Sequence, residues 1–417
     1  MKRYFIFLAT ALLTLATCNR APMFVEEIEG AHTEYFQVYS TNVTDLSKGI
    51  PAHCAIPADD ETKTTSIPVN NILSLIFEDA RKGKVIELAG SYESYDFSTG
   101  ETIRLSGKVL LPKDRKPKRY IVVSHYTIGA NSEAPSNLFP LEGILCDMDY
   151  AMIFPDYQGF GIDRDRIHPY LVMEQTALDV IMMYLSVANF LKGTKYEPEY
   201  DDIYLMGFSQ GGAVTMSTQW MIEEYFNASI KVHQVFAGGG PYDVRATFNN
   251  FVETDKVNIA PAVPYVIQGM IEGYGTDVEI ERVLQPWVCE KLDSWINSKD
   301  YTVNQLREMM ATTKTSDLLT PEAMDRSSDL VAELYKAMTE NSIVARNWTP
   351  EAPVYLMHSI DDDVVPYVNA IKAKDKWKDG NIQYNLGHYG SHMQSVLRFI
   401  YSVQTWLKDT EEQRNEK

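Results

Sequence analysis

Short apolar runs, often β-branched, punctuate the chain at residues 120–124, 150–154, 203–208, 232–236 and 354–357. None alternates apolar with polar positions as a half-exposed strand would. Continuous runs of this length suit strands covered on both faces, as in a parallel sheet. Helical patterns at 174–191, 211–226 and 392–407 alternate with them. In the last, Val396, Phe399, Ile400, Val403, Trp406 and Leu407 recur at helical spacing, a stripe suited to core packing. Strand–helix alternation predicts an α/β protein with a mostly parallel, doubly wound sheet.

Upstream the pattern differs. Residues 91–97 and 102–111 read as two strands joined by the turn Ser98-Thr99-Gly100, a hairpin. Residues 73–80 look helical. Residues 19–70 have weak periodicity and read as a tether with irregular structure. The strand–helix alternation also stops between 246 and 346, where Met- and Tyr-rich helical patterns are broken by Pro261 and Pro264. Strands resume on both sides, so this stretch reads as a helical cap inserted into one domain. The expected division is 1–18 signal peptide, 19–90 N-terminal segment, 91–245 with 347–410 core, and 246–346 cap.

The first residues read as a processing signal rather than as a buried first helix. Lys2 and Arg3 precede an apolar run from Tyr4 to Ala16, too short to span a bilayer comfortably. The run ends Leu15-Ala16-Thr17-Cys18, which resembles a bacterial lipoprotein processing site, with Thr17 replacing the usual small residue. A lipidated Cys18 would tether the chain to a membrane surface; plain secretion, free in the periplasm or outside the cell, is the other reading.

With 417 residues, 45% of them hydrophobic, the chain can bury a sizeable core. A net charge of −19 repels phosphate backbones and disfavours nucleic-acid binding. Cys18, Cys54, Cys146 and Cys289 form no CxxC pair, so no metal framework is expected. Cys54 and Cys289 could pair only if the fold joins them.

Chemistry concentrates in three places. Gly207-Phe208-Ser209-Gln210-Gly211 matches G-x-S-x-G between a strand and a helix. The glycines allow a sharp turn that holds a serine strained and exposed, and the Gln210 N–H then lies at a helix N-terminus, where it can stabilise an oxyanion. Serine needs a base and a group to orient that base. Downstream, His358-Ser359-Ile360-Asp361-Asp362-Asp363 follows a buried strand and offers three carboxylates. Finally, Gly387-His388-Tyr389-Gly390-Ser391-His392 precedes the closing helix, with His392 better placed than His388 to act as base. A second oxyanion donor should come from the loop after 120–124, from the N–H of Thr127 or Tyr126 or from the Tyr126 phenol.

These residues resemble the α/β-hydrolase superfamily, over roughly residues 91–407. Phe154-Pro155-Asp156-Tyr157-Gln158-Gly159-Phe160-Gly161, continued by His168-Pro169-Tyr170-Leu171, resembles segments of secreted lipase- or esterase-like enzymes. That resemblance implies structural roles for Asp156 and His168. His358, Asp362, Val365 and Pro366 resemble a superfamily pattern that assigns the triad acid to Asp362. The implied triad is Ser209, Asp362 and His392. His125-Tyr126-Thr127 departs from the usual His-Gly-Thr, and a tyrosine here resembles the device of prolyl-oligopeptidase-like peptidases.

The expected function is therefore hydrolysis of small-molecule or lipid carboxylic esters through an acyl-enzyme, with no cofactor and no metal. A serine peptidase of the same fold and a surface lipoprotein that binds ligand without catalysis are the alternatives.

Overall fold

A computed structural model describes residues 34–54, 76 and 83–415. The expected signal segment with Cys18 and nearly all of the expected 73–80 helix lie outside the described residues; of 73–80, Ile76 is described, and it is helical and buried.

Among the described residues nine strands form one sheet: β1 (Gln37–Asp45), β2 (Lys84–Tyr95), β3 (Thr102–Pro112), β4 (Arg119–Ser124), β5 (Tyr150–Pro155), β6 (Ile203–Phe208), β7 (Val232–Gly238), β8 (Val354–Ser359) and β9 (Ile382–Gly387). Their spatial order is β1-β2-β3-β5-β4-β6-β7-β8-β9. From β5 to β9 every neighbouring pair is parallel, whereas β1, β2 and β3 join antiparallel at one edge. Every residue of β4, β5 and β6 is buried, the reason those runs are apolar without alternation.

Two segments differ from the sequence expectation. β2 starts at Lys84 rather than 91, and β1 occupies part of the segment read as irregular. Seven of the nine β1 residues are exposed, so no hydrophobic period marks it. Main-chain pairing with β2, from Gln37 opposite Ser91 to Asp45 opposite Lys84, holds it instead.

Helices cover both faces. α1 (Met173–Leu191) and α2 (Gln210–Met221) lie on one side, in a core that includes Ile181, Met216 and Val235. α8 (His392–Asn415) lies on the other, where Val396, Phe399, Ile400, Val403 and Leu407 pack with Met206 and Phe236. Between β7 and β8 the structure is helical, with α3 (Val244–Thr254), α4 (Ala262–Gln268), α5 (Val303–Met310) and α6 (Asp329–Glu340); α7 (Val368–Lys376) follows β8. This insertion rests on the loops that leave the C-terminal ends of the strands. Asn131 N–H donates to the Lys299 carbonyl at 2.7 Å, and the Asn258 amide donates to the Asp363 carbonyl at 2.7 Å. Arg164 donates to the Ser298 carbonyl at 2.6 Å. Among the described residues no disulfide joins Cys54, Cys146 or Cys289, and burial pushes the Cys54 thiol up to about 12.

Candidate active site

The turn from β6 into α2 is built from backbone that approaches too closely for side chains. A Cβ on Gly207 would lie 2.3 Å from the Gly211 carbonyl oxygen, and one on Gly211 would lie 2.0 Å from that of Ser124. Glycine at both positions lets α2 close onto β6 and β4. The tightness falls on Ser209, whose φ of 59° and ψ of −128° are strained for a residue with a Cβ. Ser209 N–H donates to the Gly238 carbonyl at 2.9 Å, which ties the turn to the neighbouring strand. The Ser209 hydroxyl thus stands at the C-terminal end of the sheet beside the first turn of α2.

The three carboxylates after β8 separate in space. Asp362 turns inward, with its side chain fully buried. Its Oδ1 accepts the N–H groups of Val364 at 3.0 Å and Val365 at 2.8 Å. Its Oδ2 receives His392 Nδ1 at 2.7 Å. Burial raises the Asp362 carboxyl, but His392, His358 and the Val365 N–H outweigh it and hold the group below the usual carboxylate range. His392 Nε2 lies 2.8 Å from Ser209 Oγ, so serine, imidazole and carboxylate form one hydrogen-bonded chain. Asp363 Oδ1 accepts the His392 N–H at 3.0 Å and fixes the start of α8. Asp361 instead meets His388 Nδ1 at 2.9 Å, on the surface.

The loop after β4 is less exposed to choice than its sequence suggests. The Tyr126 ring packs against the small cluster of Ile128, Ala134 and Phe160. Burial, with Glu142 and Glu133 adding to it, pushes its phenol well above the usual range, so it stays protonated. Thr127 Oγ1 lies 2.7 Å from the Tyr170 hydroxyl. His125 is buried and stacks on Tyr157 at 4.0 Å, and burial brings its imidazolium down to about 4. Gln210 opens α2, and its side-chain amide reaches His168 Nε2 at 2.9 Å.

Asp156 accepts from Ser106 Oγ at 2.6 Å and from Ser136 N–H at 2.8 Å, contacts that hold the loop after β5. Sequence reasoning places Asp156 and His168 near the pocket without finding the partners of His168. Those partners are Gln210 and the Gln158 carbonyl, far apart in the chain, and no local spacing encodes them.

Residues 141–414 match the family model described as secretory lipase. The chain belongs to the secretory lipase family. It is accordingly an ester hydrolase of the carboxylesterase or lipase type. The family's secretory character points to export, and among the described residues no helix is long and apolar enough to cross a membrane. No curated protein matches the sequence. Solved structures share the α/β-hydrolase fold. The rice cell wall degrading esterase LipA from Xanthomonas oryzae is similar with a TM-score of 0.72 and 20% identity, over 90% of this chain and 98% of that one. Candida antarctica lipase A is similar with a TM-score of 0.59 and 16% identity, over 85% of this chain and 77% of that one.

Proposed function

We propose that this secretory lipase family member cleaves carboxylic esters through Ser209, His392 and Asp362. The observation that carries this reading is the unbroken chain from Ser209 Oγ to His392 Nε2 at 2.8 Å and from His392 Nδ1 to Asp362 Oδ2 at 2.7 Å. His392 takes the proton of Ser209 as the hydroxyl attacks the ester carbonyl. Asp362 fixes the tautomer that leaves Nε2 free to accept, then stabilises the imidazolium. The oxyanion is held by the N–H of Gln210 and a second donor at Thr127, while the Tyr126 ring packs against Ile128, Ala134 and Phe160. The alcohol leaves with the proton from His392, which then activates water against the acyl-enzyme and releases the acid. The inserted helices rest on the loops that carry Thr127 and Asp363, and they form a wall of the acyl or alcohol pocket. Cys18, when lipidated, anchors the exported enzyme to a membrane surface.

The test is hydrolysis of aryl esters of graded acyl length beside matched aminoacyl amides, with Ser209→Ala in parallel. Ester turnover that disappears in the variant supports the reading. Amide turnover equal to ester turnover would move the enzyme to the peptidases, and full activity in Ser209→Ala would overturn the triad. Metabolic labelling with palmitate, lost in Cys18→Ser, tests the anchor.

A further inference from the structure

The geometry points to the His168–Tyr170 turn as one clamp that positions both oxyanion donors, which makes His168 and Tyr170 positioning residues for ester hydrolysis. This rests on the roles given above to Gln210 and Thr127. One arm of the clamp is the side-chain amide of Gln210, which donates to His168 Nε2 at 2.9 Å. An amide N–H only donates, so Nε2 must carry a lone pair and the ring proton must sit on Nδ1. Nδ1 faces the Gln158 carbonyl at 2.8 Å, an acceptor that suits this tautomer. Burial brings the His168 imidazolium down to about 3, which keeps the ring neutral and the Nε2 lone pair available at ordinary pH. The other arm is the Tyr170 hydroxyl, 2.7 Å from Thr127 Oγ1.

The two arms move together because the turn between them is rigid. Tyr170 N–H donates to the His168 carbonyl at 2.7 Å. From below, Gly159 passes so close that a Cβ there would lie 2.7 Å from His168 Cα. From above, a Cβ on Gly269 of the inserted helical region would lie 2.1 Å from the Tyr170 carbonyl oxygen. The Tyr265 ring of α4 packs 5.5 Å from that of Tyr170. Held between the sheet loops and the insertion, the turn fixes the separation of two donors that belong to different loops. Oxyanion stabilisation depends on donors already aimed at the position the charge will occupy, so losing an arm should weaken transition-state binding more than substrate binding.

The experiment compares wild type with Tyr170→Phe and with Gln210→Met, which keeps the backbone N–H and removes the amide. Ser209→Ala and Tyr184→Phe serve as controls. Tyr184 is a buried tyrosine of α1 that packs on Tyr120, at the far end of β4. A soluble aryl ester gives kcat and KM, and an aryl trifluoromethyl ketone, which forms a tetrahedral adduct with serine, reports transition-state affinity. The expected result is a loss of about tenfold in kcat for both test variants, less than the loss on deleting a donor outright. KM should stay within about twofold, ketone affinity should fall in step with kcat/KM, and Tyr184→Phe should behave as wild type. Wild-type kcat and ketone affinity in the test variants, with Ser209→Ala inactive, would overturn the clamp alone. An equal loss in Tyr184→Phe would also overturn it. Full activity in Ser209→Ala would remove the reading on which it rests. Thermal unfolding confirms the fold of each variant, and either arm alone decides the question if the other variant does not fold.

Discussion

His388 and His392 both follow β9, and each holds one aspartate of the same acidic run. The contacts are nearly equal in length, 2.9 Å for His388 with Asp361 and 2.7 Å for His392 with Asp362. Their surroundings are opposite. The His388 and Asp361 side chains are 74% and 46% exposed, whereas those of His392 and Asp362 are 4% and 0% exposed. The outer pair sits in water, where each partner is hydrated anyway and the attraction is screened. The inner pair has lost that water. The Asp362 charge is met by two backbone N–H groups and an imidazole, and the other nitrogen of that imidazole is aimed at a strained serine. A histidine–carboxylate contact is therefore no mark of a catalytic pair by itself. Burial, the extra donors and a third partner at the far nitrogen set the proposed catalytic pair apart.

The comparison is tested most severely by removing each imidazole. His392→Ala should lower kcat on an aryl ester by about a million-fold, as expected for a base acting as a unit with its serine. His388→Ala should stay within about twofold, and comparable losses in both would erase the distinction. The carboxylates should divide in the same way: Asp362→Asn is expected to cost about 10,000-fold in kcat through the wrong imidazole tautomer, with Asp361→Asn near wild type.

Stability should follow a third contrast. The Asp362 carboxyl is held below its ordinary range in the folded protein, so the unfolded chain binds its proton more readily. Its contribution should be fully present above the unfolded value of about 3.9 and drain away as pH falls through the lower folded value. Urea unfolding from pH 3 to 8 should show the gap between wild type and Asp362→Asn constant above about pH 5 and narrowing in acid. A gap that widens in acid would contradict the assigned direction. The smallest effect belongs to the outer pair, where Asp361→Asn should change the urea-derived stability by less than about 1 kcal/mol at neutral pH.

Much of this is legible in the order of residues. Ser209 is marked by glycines whose absent side chains are required for the close approach of α2. The buried strands are marked by runs without alternation, because both faces of β4 to β6 are covered. β1 leaves no mark, since a strand that buries almost nothing has no reason to carry a hydrophobic period. Resemblance narrows the acidic run to Asp362, while the residues alone leave three candidates open.

The architecture and the succession of reactive residues follow from the chain's own pattern, because both rest on local properties: hydrophobic period, turn chemistry and neighbours a few positions away. Packing in three dimensions selects which aspartate and which histidine face Ser209, and brings Gln210 and Thr127 under the hold of the same turn. Those choices depend on burial and on hydrogen bonds between residues separated by 42 and 43 positions in one case and 183 in another. Contacts of that reach are set by how the sheet, its exit loops and the inserted helices pack, and no stretch of chain carries them alone.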